Sequence, residues 1–246
     1  MTRTPIRFAW SRQSPLHRAV MRQANAALIR LPDSVKFGAI RRMKTKSLPY
    51  CLVSQLAVVQ IGAPFDTLGS GRSRAAHLGL SAGQGGHLLV IEPYETSCDA
   101  FREWAVKNLE CETKVVALAA WSSEGSTELY VDDRHPATNF SAKTVEYDQE
   151  RLKDYRTVSV RQSTVDQIVE EQGFPMPDLV SITTNWAERE ILQGMSGLIE
   201  NGLQYISVAL GENDEDYRSE MSSIGYEPMG FDDRGVTYQR RVDRSS

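Results

Sequence analysis

Cysteine is scarce in this chain: Cys51, Cys98 and Cys111 are the only three. An odd count with no Cys-x-x-Cys pair gives neither a disulfide framework nor a zinc ribbon, and the expectation is of reduced, half-buried thiols in a cytoplasmic protein. No apolar stretch approaches the roughly 18–20 residues that span a bilayer, which excludes an integral membrane protein. Glycine and proline, 17 and 10 among 246 residues, are too few for a collagen-like or low-complexity chain. Histidine is rarer still, with four, and Asp132, Asp133 and His135 have no recognised metal-ligand spacing, so no metal is expected. What remains is an ordinary globular composition, 41% hydrophobic and 24% charged, of a length for one large domain or one domain with an appendage.

Acidic residues are almost missing from the first fifty positions. Eleven Lys and Arg stand there against Asp33 alone, a net +10, and residues 51–246 carry the compensating −14. This reads as a basic helical extension (1–50) on an acidic domain (51–246). It is not a secretory signal, because no apolar h-region follows the early arginines. Leu16, Val20, Ala24, Ala27, Leu28 and Leu31 recur at helical spacing with Arg18, Arg22 and Arg30 largely off that stripe. A second basic stretch runs from Val35 to Lys46. Two readings stand: a helix lying on an anionic surface, or one docked on the acidic body by its small apolar face. A nucleic-acid partner is not firmly indicated, since only Phe8, Trp10 and Phe37 supply interleaved aromatics.

From Leu56 onward the pattern changes to alternating strands and helices. Leu56–Ile61, His87–Glu92, Thr113–Ala120, Asp178–Thr183 and Gln204–Leu210 are short apolar runs of the kind that form buried parallel strands. Between them, 72–82, 96–109, a segment capped by Ser163 and running to Gln172, 187–192 and 213–223 read as helices. Glu128–Val131 and Thr157–Val160 look like exposed β pieces around a polar loop, and Tyr226–Phe231 and Val236–Arg241 flank the hairpin turn Asp232-Asp233-Arg234-Gly235. The fold class that follows is α/β: a mixed sheet with helices on both faces.

In such sheets ligands sit beyond the carboxyl ends of the strands, near the first strand. That places Gly62, Glu92, Ala120 and Asn185 along one crevice. A glycine at the first turn lets the backbone approach a ligand, and a carboxylate ending the second strand can accept from both hydroxyls of a ribose. A dinucleotide fingerprint is the weaker choice: Gly69-Ser70-Gly71 starts seven residues after Gly62 and lacks its third glycine. Gly69–Arg74 can hold an anion at a helix start or be a flexible loop with a solvated arginine pair.

Val59-Gln60-Ile61-Gly62-Ala63, Val90-Ile91-Glu92-Pro93, Ala119-Ala120 before Gly125 and Glu128-Leu129-Tyr130-Val131, Ser163-Thr164-Val165-Asp166, and Ser181-Ile182-Thr183-Thr184-Asn185-Trp186-Ala187-Glu188 with Ile191-Leu192-Gln193-Gly194 follow in an order and spacing that resembles the FkbM family of S-adenosylmethionine-dependent methyltransferases. The likeness covers about Leu56 to Leu210. It implies a class I methyltransferase fold, a Rossmann-like mixed sheet of about seven strands with a β-hairpin insertion. It also implies S-adenosyl-L-methionine as cofactor and O-methylation of a hydroxyl on a small molecule, glycan or lipid. By the same resemblance Gly62 and Ala63 fit the loop under the methionine part, Glu92 the ribose, and Ala120 the edge near the adenine. The chain departs from the family where Pro64 and Asp66 replace an Asn and a Gly. It departs again where Ser181, Thr183, Asn185 and Trp186 replace Lys, Asp, Glu and Gly in Lys-Ile-Asp-Val-Glu-Gly-Ala-Glu.

Methyl transfer to a hydroxyl needs alignment of the acceptor oxygen and gains from a base that removes its proton. Glu188 is the first candidate base, against the reading of an exposed helix-start acid. Asn185 either orients the acceptor or caps the helix it precedes. His135 has a suitable unperturbed pKa of about 6.5, but a lone histidine in a polar loop is commonly solvated. Trp186 reads as a packing residue. A protein of the same fold that binds the cofactor without turning it over, and a nucleic-acid-binding protein using the basic arm, are the alternatives.

Overall fold

The computed structural model describes residues 30–44, 46–144, 151–209, 215–232 and 234–241. The helix expected over Leu16–Leu31 falls mostly on residues 1–29, outside the described part, as do 211–214 of the last loop. The described basic segment forms α1 (Asp33–Lys44). Lys36 is buried, bridging to Asp33 and donating to the Gly69 carbonyl, and Phe37 stacks on His77 and Trp104. This part of the segment is docked on the acidic body.

The chain then runs through β1 (Ala57–Ile61), α2 (Phe65–Gly69), α3 (Arg74–Ala82), β2 (His87–Ile91), α4 (Glu95–Asn108), β3 (Glu112–Val116), β4 (Ala119–Ala120), β5 (Gly125–Val131), β6 (Phe140–Ser141) and β7 (Arg156–Ser163). After these come α5 (Val165–Glu171), β8 (Leu179–Ile182), α6 (Glu188–Gln193), α7 (Ser196–Glu200), β9 (Tyr205–Val208), α8 (Glu215–Ser223), β10 (Tyr226–Phe231) and β11 (Val236–Arg240). The principal sheet has the order β10-β11-β9-β8-β1-β2-β3. β1, β2, β3, β8 and β9 are parallel, and β11 pairs antiparallel with both neighbours. This is a seven-stranded mixed sheet with helices on both faces and a closing hairpin, a Rossmann-like α/β fold.

Alternation along the strands builds two cores, one per face. Val59, Ile61, Leu89, Ile91, Val180, Ile182 and Ile206 pack under α5, α6, α7 and α8. Val58, Leu88, Val90 and Leu179 pack under α1, α3 and α4, with Phe37, Tyr50, Phe101 and Trp104.

Four expectations need correction. The run Thr113–Ala120 is not one strand: Glu112–Val116 pairs with β2, whereas Ala119–Ala120 pairs with β7 in a second sheet of order β4-β7-β5-β6. The main sheet's ladder ends where Glu92 N–H meets the Val116 carbonyl, which frees the chain to cross over. The insertion is consequently a four-stranded sheet rather than a hairpin, with β5 and β7 paired from Gly125↔Gln162 to Val131↔Arg156. The cap of α5 is Thr164, whose side chain accepts from Gln167 N, and Ser163 closes β7 instead. The thiols are not uniformly half-buried: Cys51 is exposed whereas Cys98 and Cys111 are buried.

Arg74 shows why the Gly69–Arg74 loop is not an open anion site. Its guanidinium donates from Nε to Ser181 Oγ (2.9 Å), from Nη2 to Ser207 Oγ (2.6 Å) and from Nη1 to Asp232 (2.9 Å). The Arg74 and Asp232 side chains are 2% and 4% exposed. Asp232 also accepts from the backbone of Arg234 and Gly235, so one ion pair locks the hairpin turn onto β8 and β9. Removing one partner of such a pair leaves a buried charge, at a cost of about 3–5 kcal/mol. Arg74→Met should destabilise the fold by that order in urea titrations, and the double variant Arg74→Met/Asp232→Leu should recover part of it. Equal or greater loss in the double variant would show that the charges are not coupled.

Candidate functional site

The connections from β1 lead to β2 on one side while β8 lies on the other, so the sheet's switch point falls between β1 and β8. A crevice opens beyond the carboxyl ends there. Gly62 follows β1 with φ +85°, and a side chain on it would collide with the Thr183 carbonyl. Glycine is therefore required by the close approach of the β1 and β8 ends as well as by the positive φ. Gln60, fully buried, fixes the turn from below, donating to the carbonyls of Ile61 (2.8 Å) and Gly62 (2.9 Å) and to Thr183 Oγ1 (2.7 Å).

Glu92 ends β2 beside this turn. One carboxylate oxygen accepts from Ala63 N at 2.7 Å and the other from Tyr94 N at 3.0 Å. Its side chain is nearly buried. Desolvation outweighs those two bonds, and with the nearby Asp66 charge it pushes the Glu92 carboxyl up to about 7. Desolvation also raises Asp66, which accepts from Thr67 N and Ala137 N.

The small sheet forms the opposite wall, packing Leu129 and Val131 against Tyr94. Its β5–β6 loop is tied down at both ends. Ala137 N–H reaches Asp66, and Asn185 Nδ2 donates to the carbonyls of Ala137 (3.1 Å) and Asn139 (2.7 Å). At the loop's outer edge Asp133 accepts from Tyr94 and from two nitrogens of Arg156. Between the walls lies a cavity of about 90 Å³. Its lining is mostly apolar, as in Ile61, Pro64, Trp121 and Phe140, and Glu92 is its one charged side chain among the described residues.

Gly62, Glu92, Ala120 and Asn185 all line this cavity, Ala120 from β4 of the small sheet and not from a strand end of the principal one. Ala63 does not line it and acts through its N–H on Glu92. Glu188 does not line it either, and neither is it exposed: it is buried at the start of α6, its carboxyl raised by desolvation, and it accepts from Thr184 Oγ1 at 3.1 Å. Thr184 does line the cavity, so Glu188 reaches it through that hydroxyl. Asn185 bridges to the loop rather than capping α6. His135 is exposed and apart from the lining, whereas its neighbours Pro136 and Ala137 are part of it. Trp186 is not core: it is 58% exposed, in the left-handed region at φ +68°. Among the described residues no cluster of His, Cys, Asp and Glu could hold a metal.

Sequence reasoning did not single out Thr184 as a cavity residue, and put Asn139 only within the Asp132–Tyr155 loop expected to help build the acceptor pocket. Asn139 lines the cavity and its Oδ1 accepts from Asp132 N at 2.9 Å. That bond fixes which way the amide points, and leaves Nδ2 buried with no partner among the described residues. An unmatched buried donor costs about 1–3 kcal/mol.

The raised Glu92 carboxyl makes stability depend on pH. The folded protein holds this proton more tightly than the unfolded chain, whose value is near 4.5. Stability is therefore lost as pH rises from about 4.5 to about 7 and is flat above, by an amount on the order of 3 kcal/mol. Asp66 and Glu188 act in the same direction, so comparison with Glu92→Gln isolates this group. Denaturant unfolding between pH 4.5 and 8 should show a shallower slope in the variant; identical slopes would mean Glu92 titrates normally.

No protein-family model matches the chain, and no curated protein matches it. Among solved structures, it is similar to the methyltransferase FkbM from Methylobacillus flagellatus KT, at 13% identity and a TM-score of 0.45. The similarity covers 91% of this chain and 60% of that one, so the chain spans about three fifths of that protein's length.

Proposed function

We propose that the cavity is a nucleoside site and that the protein is an S-adenosylmethionine-dependent methyltransferase acting on a hydroxyl of a small molecule, glycan or lipid. The observation that carries this is Glu92. Its two oxygens each accept one backbone N–H, and a carboxylate offers about four acceptor positions. Two remain for a ribose diol, inside an otherwise apolar cavity at the switch point. The donor set suits the group: Ala120 and Pro93 flank Glu92 as apolar edges for a base, and the Gly62–Ala63 turn lies where the 5′ substituent would run. Small-molecule pockets span roughly 300–1,000 Å³, so a nucleoside needs more than 90 Å³. The wall able to yield is the Pro136–Asn139 segment, held by a few side-chain hydrogen bonds.

The cofactor supplies an electrophilic methyl group on a sulfonium. The chain's own part is alignment and proton removal. An acceptor hydroxyl at Thr184 can give its proton to Oγ1 while Thr184 gives its own to Glu188, whose raised carboxyl is the more basic for it. With no Lys, Arg or His in the described lining, an uncharged acceptor fits better than a phosphorylated one. The loss of acids at Thr183 and Asn185 favours one other reading, a cofactor-binding protein without turnover. A mass gain of one methyl on a hydroxylated metabolite incubated with protein and cofactor separates the two.

Calorimetry with S-adenosylhomocysteine tests the site itself. Binding should strengthen from pH 6 to 8, because a diol donates to ionised Glu92, and should release protons, visible as heats that vary with buffer. Glu92→Gln should weaken binding by at least tenfold, the value of a hydrogen bond to a charged group. A folded wild-type protein that gives no heat with this ligand overturns the nucleoside reading.

A further inference from the structure

The unmatched nitrogen of Asn139 is a buried polar group that the reading above does not use. The amide cannot be turned to relieve it, because Oδ1 is held by Asp132 N. The Asn139 backbone carbonyl accepts from Asn185, so the amide moves only with the wall that carries it. Native proteins leave few such donors unmatched, and those that persist commonly meet a ligand or a water.

Position indicates which ligand atom. Asn139 is tied to Asn185, just beyond β8, and Ala137, two residues earlier, to Asp66, just beyond β1. The loop that carries Asn139 is thus tied to the ends of β1 and β8, whereas Glu92 ends β2, on the other side of β1 from β8. A nucleoside with its diol on Glu92 and its 5′ chain running across the switch point brings the far end of that chain beneath Asn139. For S-adenosylmethionine this end is an amino acid, whose carboxylate only accepts hydrogen bonds. No cationic side chain lines the cavity among the described residues to receive it.

Resting on the nucleoside reading, we infer that the Asn139 side-chain amide donates to the carboxylate of the cofactor's amino-acid tail. Neutral amide recognition replaces an ion pair here, and the donor left unmatched in the closed wall becomes matched when the tail enters.

The test compares two ligands that share nucleoside and thioether. S-Adenosylhomocysteine carries the amino-acid tail and 5′-methylthioadenosine does not. Asn139→Ala should weaken the first by about tenfold, equivalent to about 1.4 kcal/mol, and leave the second within twofold. Asn139→Asp keeps the shape and the bond from Asp132 N but sets a carboxylate against the tail. It should weaken S-adenosylhomocysteine further still, again sparing 5′-methylthioadenosine, which also reports that the variant is folded. Equal losses for both ligands, or no loss for either, overturn the assignment. If the wild-type protein binds neither, the nucleoside reading itself falls, and that result is separate from any behaviour of the variants.

Discussion

Glu92 holds the loop after β1 through Ala63 N and the loop after β2 through Tyr94 N, and its own backbone carbonyl receives the Cys98 thiol from α4. One acid thus sets the spacing of two strand ends and the first turns of a helix. The arrangement stabilises the loops only if the carboxylate's burial is compensated, and two backbone donors compensate it incompletely: the carboxyl sits near neutrality at about 7. A site whose charge is under-satisfied when empty favours ligands that bring further donors. The same residue thus shapes the cavity and supplies its charge.

Among the described residues no cationic side chain lines the cavity. Arg74, nearest to the sheet's core, is committed to Ser181, Ser207 and Asp232. Lys36 is committed to Asp33 and the Gly69 carbonyl. Arg156 pairs with Asp133 at the outer rim, holding that carboxyl down to about 2. Among the described residues, what faces the cavity is neutral apart from Glu92 and includes the hydroxyls of Thr127, Ser141 and Thr184 and the amides of Asn139 and Asn185. Recognition by such groups depends on geometry more than on field, and the cavity is accordingly walled by regular strands, β5 and β6, with a short tied loop between them.

The strands that carry the site were legible because parallel strands buried on both faces are continuous apolar runs: Val58-Val59, Leu88-Leu89-Val90-Ile91 and Leu179-Val180 admit few other readings. Glu92 and Gly62 were legible because each terminates such a run. The small sheet was not. Ala119–Ala120 is too short to show a period, and β7 alternates buried with exposed positions only weakly, so neither announces a partner. Asn139 gave no signal at all: a polar residue in a polar loop is silent until the wall it faces is known. Glu188 was picked out by resemblance, with an exposed helix-start acid as the alternative; in the structure it is buried and faces inward to Thr184 and beneath it the Tyr217 side of α8.

At the end of β8 the departures from the family pattern explain one another. Thr183 stands where the pattern has Asp. Its hydroxyl accepts from Gln60 and lies 3.2 Å from the carbonyls of both Ile61 and Gly62, to which it donates. A carboxylate there could accept from the amide but would face two carbonyl oxygens with no proton to offer, so a hydroxyl suits Gln60 and this turn as an acid would not. Asn185, in place of Glu, donates two hydrogen bonds to the β5–β6 loop, which an ionised carboxylate cannot do. Trp186, in place of Gly, keeps the left-handed backbone that glycine would adopt freely, at a strain of order 1–2 kcal/mol. Among the described residues Glu92 lines the cavity and Glu188 meets it through Thr184, so the site keeps two carboxylates although Thr183 and Asn185 carry none.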